Sequence, residues 1–205
     1  LGALGGWGLG WLDTNMPASV TALTSGVFFA AIFIGIKSAT GRRLFAVVLA
    51  IAAMWLVPFI LLAQSNAWVG VLVQPRYILP SLVITVGVAS LRADAARAWA
   101  GSRYVFAAAA LWFAATVALQ RQVSRYTTGT DKLQPDPGNN AEWWWTFGPS
   151  PLAVWIIGSL AFAGFFVCIW FVLRREAAIA GPASIASTDA ALLAAVGKNP
   201  TEPAT

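Results

Sequence analysis

The sequence contains no histidine, a single cysteine and few charges. Each shortage excludes something. Without histidine, the commonest metal ligand and the commonest general base are both missing. Any acid–base chemistry would fall to carboxylates or to another chain, and we expect no metal and no cofactor. One cysteine, Cys168, cannot close an intrachain disulfide. Only 10% of the 205 residues are charged, where a soluble domain carries about 25%. Hydrophobic residues make up 59%, and the mean hydropathy is +0.71. Lipid is therefore the solvent for most of the chain. The net charge of +5 is not a nucleic-acid footprint, because the basic residues are scattered between apolar runs. No methionine and no basic stretch precede the apolar start at Leu1, so we read no signal peptide. We expect the sequence to begin inside a longer protein.

What is present is a series of long apolar runs. A membrane-crossing helix needs about 20 mostly apolar residues. Five segments meet or approach this: residues 17–36, 44–64, 75–91, 104–119 and 151–173. The fold class expected is all-α, a polytopic membrane protein and a fragment of a larger bundle. The positive-inside rule then sets its direction. Lys37, Arg42, Arg43, Arg92, Arg97, Arg103, Arg174 and Arg175 fall on one side. Arg76, Arg121, Arg125 and Lys132 fall on the other. The larger group is expected in the cytoplasm, with the N-terminus outside and the C-terminus inside.

By this reading, residues 1–176 form the membrane region, with an outside loop at 121–150. Residues 177–205 are Ala-, Ser-, Thr- and Pro-rich and read as a disordered cytoplasmic tail. Gly2, Gly6 and Gly10 have the small-xxx-small spacing of closely packed membrane helices. A flexible interfacial loop would suit the same glycines. In the outside loop, "PDPGNN" (135–140) is turn chemistry. Trp143, Trp144 and Trp145 follow. They suit an aromatic belt at the membrane surface, or a stacking platform for a sugar ring.

One charge sits awkwardly. In "VLVQPRYILPSLV" (71–83), Arg76 interrupts an apolar run. Pro75 suits the first position of a helix, which would put Arg76 in the first turn, where the helix dipole disfavours a cation. The same turn favours an anion, held by free N–H groups and a guanidinium together. The alternative is an arginine snorkelling to lipid headgroups. Pro80 would kink the span. Near the start, Asp13, Thr14 and Asn15 are residues that would cap a helix beginning near Pro17.

Two stretches carry a resemblance. "LGWLDTNMP" (9–17) precedes one apolar run, and "VGVLVQPRYILP" (69–80) opens another. Together they resemble the C-terminal part of domain of unknown function family 2142, bacterial multi-spanning membrane proteins with a "GWLDT-x-x-P" and a "Q-G-R-Y-x-x-P" segment. The resemblance extends over residues 5–175. Pro75 stands where the family usually has glycine. The family is similar to C-type glycosyltransferases, which use lipid-phosphate sugars at the extracytoplasmic surface. The resemblance implies a place in building a cell-envelope polysaccharide or glycolipid, in the bacterial plasma membrane. The catalytic carboxylate of that superfamily usually lies in an earlier loop, so this chain would be the lipid-holding portion. Arg76 would hold a polyprenyl-phosphate group, Tyr77 would pack beside it, and Asp13 would be a polar neighbour. Trp143, Trp144 and Trp145 would meet the sugar. Membrane lipids, the remaining N-terminal spans and other membrane proteins are the partners implied. A transporter or flippase for lipid-linked glycans and a non-catalytic scaffold are the other readings. Charge-free span centres and the lack of an internal repeat speak against transport.

Overall fold

The computed structural model describes residues 14–37, 39–65, 78–91, 95–99, 101–129 and 134–179. Its elements are helices: α1 (Ala18–Ile36), α2 (Gly41–Ser65), α3 (Leu79–Ser90), the single turn α4 (Ala95–Ala98), α5 (Ser102–Thr128) and α6 (Pro151–Ile179). No strand occurs among the described residues. Four of the helices, α1, α2, α5 and α6, are long and apolar enough to cross a membrane, and α3 is a shorter apolar helix. This is a multi-pass membrane protein.

The helices form a row in which α2 packs on α3, α3 on α1, α1 on α5, and α5 on α6. α1 therefore buries two faces. Met16 and Val20 meet Ala114 and Ala118 of α5. Phe28 and Ile32 join a second cluster with Val47, Leu82 and Ala89. These positions follow the three- and four-residue spacing that puts side chains on one helix face. At Gly35, α1 and α3 come closest. A Cβ there would overlap the Ala89 carbonyl oxygen and lie 2.8 Å from its carbon. The guanidinium of Arg43 then ties three helix ends together. It donates to the carbonyls of Gly35 (3.1 Å) and Leu91 (2.6 Å). Carbonyls at helix C-termini lack intrahelical donors and attract cations.

α5 and α6 are joined by side-chain bonds to backbone carbonyls. Tyr104 Oη donates to Phe166 O (2.5 Å), Trp112 Nε1 to Ser159 O (2.9 Å), and Trp155 Nε1 to Thr116 O (2.9 Å). As the partner moves up α5, it moves down α6, so the two helices are antiparallel. Hydrogen bonds of this kind hold membrane helices together where lipid gives no hydrophobic drive.

Several expected boundaries shift. The fourth span, expected at 104–119, is a helix from Ser102 to Thr128. Residues 121–128, expected in the outside loop, are helical. The apolar run does end near 119, but polar residues keep the helix going. It stops at Gly129, whose φ of 84° suits glycine. α2 starts at Gly41 rather than 44, and α6 continues past 173 to Ile179, so the first three residues expected in the tail are helical. Residues 180–205 lie outside the described residues, as do Gly2, Gly6 and Gly10. The cap expected at α1 is different too. Its N-cap is Pro17, with no side-chain capping bond. Pro80 sits at the start of α3 rather than inside it, a place where its missing N–H costs nothing. The proline inside a helix is Pro58 of α2. The expected start of the third span at residue 75 lies outside the described residues.

Candidate functional site

The connections give the bundle two unlike ends. α1 and α3 run parallel, since Gly35 and Ala89 meet near both C-termini. α2 runs back between their ends, α5 returns along α1, and α6 reverses again. One end carries Lys37, Arg42, Arg43, Arg97, Arg103, Arg174 and Arg175. Arg174 there lies 3.9 Å over the ring of Trp170. The other end holds the starts of α1, α3 and α6, the ends of α2 and α5, and the loop before α6. All three sequence segments expected to bind substrate lead into this loop end.

The loop is built, not loose. The last turns of α5 offer Gln120 and Thr127 to it. Gln120 Nε2 donates to Gln134 O (2.5 Å), and Thr127 Oγ1 to Pro137 O (2.6 Å). Thr127 and Pro137 are fully buried. In the other direction, Thr127 O accepts from Glu142 N at 2.7 Å and Trp143 N at 3.4 Å. The turn read from "PDPGNN" is present. Asp136 Oδ1 accepts from Gly138 N (2.8 Å), and Asn140 is left-handed at φ 54°, a conformation asparagine tolerates. α6 then opens with Ser150, whose hydroxyl accepts from Ala153 N (3.2 Å). Pro151 follows in the first helical position, as the residue types favour.

The three tryptophans form one cluster. Trp145 meets both Trp143 and Trp144 edge-to-face, each at 4.8 Å between ring centroids. Trp144 Nε1 donates to Pro149 O (2.8 Å), which fixes its ring against the loop. Trp143 and Trp145 stay about half exposed, at 54% and 45%. The angles of 68° and 70° mean that the rings do not make one flat platform. They offer separate faces to whatever reaches the loop end.

Asp13, Arg76 and Tyr77 lie outside the described residues. Their described neighbours are Thr14, which is buried, and Ile78, which is the N-cap of α3. The tryptophan loop is tied to the end of α5, and α3 packs on another face of α1 than α5 does. Among the described residues there is no group of three metal-ligating side chains.

Residues 4–85 match the family described as predicted membrane protein (DUF2142). This is the family the two motifs resemble, and the matched segment contains both of them. It runs from before α1 into α3. The resemblance was expected to reach residue 175, whereas the DUF2142 match does not include α5, the tryptophan loop or α6. No curated protein and no solved structure matches the chain.

Sequence reasoning missed Gln120 and Thr127, which hold the loop, and Gly35, which sets the α1–α3 distance. A glycine within the apolar "IFIGI" (32–36) was the available signal for the last. Nothing local marks Thr127, because its partners come from a loop ten residues on.

Proposed function

We propose that this chain is the C-terminal membrane portion of a glycosyltransferase-like protein of the bacterial cell envelope, holding a lipid-linked phosphate at the loop end. The observation that carries the reading is the parallel course of α1 and α3. It brings the segments that follow "LGWLDT" and "VQPRY" to one end of the bundle, the end that also bears the exposed tryptophans. In this reading Arg76 grips the phosphate, Tyr77 packs beside it, and Asp13 is a polar neighbour. Trp143 and Trp145 line the approach of the sugar. None of these residues is assigned the catalytic step.

The test is ligand affinity in nanodiscs, using a polyprenyl monophosphate. Arg76→Ala should weaken binding by about tenfold, the scale of one charge-assisted hydrogen bond. Arg76→Lys should fall between, because lysine keeps the charge and loses the planar fork. Unchanged affinity in Arg76→Ala would leave Arg76 as a headgroup anchor and remove the reading's central residue.

The loop end is proposed to face the outside, on the positive-inside argument. In a Cys168→Ala background, an impermeant thiol reagent on intact cells should label Asn139→Cys and spare Ser38→Cys. The reverse pattern would invert the topology.

A transporter or flippase for lipid-linked glycans is the second reading. Movement of a fluorescent lipid-linked phosphate across proteoliposomes would distinguish it.

A further inference from the structure

The end of the bundle away from the tryptophan loop carries an unbalanced charge. Lys37, Arg42, Arg97, Arg103, Arg174 and Arg175 are exposed there, and Glu176 is its one carboxylate among the described residues. The loop end, by contrast, sets Asp136 and Glu142 against Arg121 and Arg125. Like charges gathered at one end repel one another, and an anion among them relieves the repulsion. The positive-inside rule accounts for the sign of this end. It does not account for how two of the guanidinium groups are held.

Tyr104 Oη meets the Phe166 carbonyl, and α5 begins only at Ser102. α6 runs on from Phe166 to Ile179. Its last turns therefore pass the start of α5, and the single turn α4, which precedes α5 in the chain, packs on α6. Arg103 reaches back from the start of α5 and donates to Ala98 O, at the end of α4 (3.1 Å). On α6, the guanidinium of Arg174 lies 3.9 Å over the ring of Trp170, one turn earlier. A cation over a tryptophan face is held without spending its N–H donors.

Depth is the second observation. Arg103 stands just before the apolar run that opens at Tyr104, and Arg174 just after the one that closes at Leu173. Both guanidinium groups thus sit where hydrocarbon gives way to lipid headgroups, the level at which tryptophans such as Trp170 anchor. The anion found at that depth, along the whole rim of the protein, is the phosphate of a phospholipid.

We infer that the α4–α6 corner binds the headgroup of an anionic phospholipid, with Arg103 and Arg174 on its phosphate. Arg175 adds charge, and Trp170 keeps Arg174 in place. The planar fork of arginine suits bidentate contact with phosphate, and basic pockets between membrane helices hold anionic headgroups in this way. A choline headgroup would bring its own cation into the uncompensated positive charge, so the corner selects lipids with a net negative charge. The site is at the opposite end of the bundle from Arg76 and does not depend on the reading of that residue.

The experiment titrates the full chain in detergent micelles with phosphatidylglycerol and, separately, phosphatidylcholine, and counts bound lipid by native mass spectrometry. Wild type should bind phosphatidylglycerol more tightly. Arg174→Gln should weaken that binding by about tenfold, a charged hydrogen bond being lost. Trp170→Leu keeps every charge but frees Arg174, and should weaken it by a smaller factor. Arg42→Gln removes a cation at the start of α2, on the far edge of the row of helices, and should bind as wild type. Equal losses in Arg42→Gln and Arg174→Gln would show only a diffuse positive field and overturn the site. Wild-type binding by Arg174→Gln would overturn it as well, and wild-type binding by Trp170→Leu would overturn the part given to the ring. Soluble glycerol phosphate should not raise the melting temperature. A rise that Arg174→Gln abolishes would overturn the lipid in favour of a free anion. Without added lipid, Arg174→Gln should melt with wild type, and a marked fall would make Arg174 a structural contact and overturn the inference.

Discussion

Valine in place of Gly35 should separate α1 from α3 and lower stability by about 3 kcal/mol, near the top of the range for an overpacked core. The new Cβ would meet the Ala89 backbone, not the far end of a side chain. Backbone cannot rotate away, so one helix must move. Ala89 is completely buried, and the same crossing orders the cluster of Phe28, Ile32, Val47 and Leu82. The damage should therefore spread to α2. Gly26→Val is the control. It makes the same chemical change nine residues earlier on α1, where a Cβ would meet nothing within 4 Å. Detergent unfolding of the two variants should differ widely, with Gly26→Val close to wild type. Equal stability would mean that the helices do not approach at Gly35. Small residues are favoured in membrane helix contacts for this reason.

The parts of the fold that could be read from the sequence are those written in local chemistry. The apolar runs placed α1 within a residue or two. "PDPGNN" specified its turn, and Ser150-Pro151 opens α6 as those residue types prefer. What was hidden depends on partners distant in sequence. Gln120 and Thr127 look like loop residues, because hydropathy ends near 119. They are helical because the helix has no reason to stop before Gly129, and their side chains are satisfied by residues 134–137. Arg43 was legible only as a charge that chooses a side. Its bonds to Gly35 and Leu91 depend on two other helices ending beside it. Pro80 illustrates the same limit. Within an apolar run it read as a kink, whereas the described helix starts beside it. Of the candidate site, the tryptophans were visible as a run of three. Their edge-to-face arrangement was not, since it is set by the Trp144–Pro149 bond and the loop's attachment to α5.

That attachment makes the second large effect predictable. Thr127→Val should free the loop from α5 and cost about 1–3 kcal/mol, the range for leaving a buried polar group unsatisfied. Valine matches threonine in shape, so packing is kept and only the hydroxyl goes. The Pro137 carbonyl would then lose its donor at a site that excludes water, since both residues are fully buried. Thr127 also bonds the loop through its own carbonyl, to Glu142 N and Trp143 N. These backbone bonds remain available in the variant, but the turn that aligns them is no longer held. Hydrogen exchange at Gly138, Asn139, Glu142 and Trp143 should therefore quicken markedly. Amides in the centre of α5 and α6 should not change, because Trp112 and Trp155 still join those helices. Thr127→Ser should restore slow exchange by restoring the donor. Thr128→Val is the matched control. Thr128 is also buried, but among the described residues its hydroxyl bonds only to Ser124 O, within its own helix (3.1 Å). Loop exchange should be nearly unaffected there. If Thr127→Val exchanges as slowly as Thr128→Val, the loop is held by its other contacts. The tryptophans would then owe their placement to Gln120 and to the start of α6.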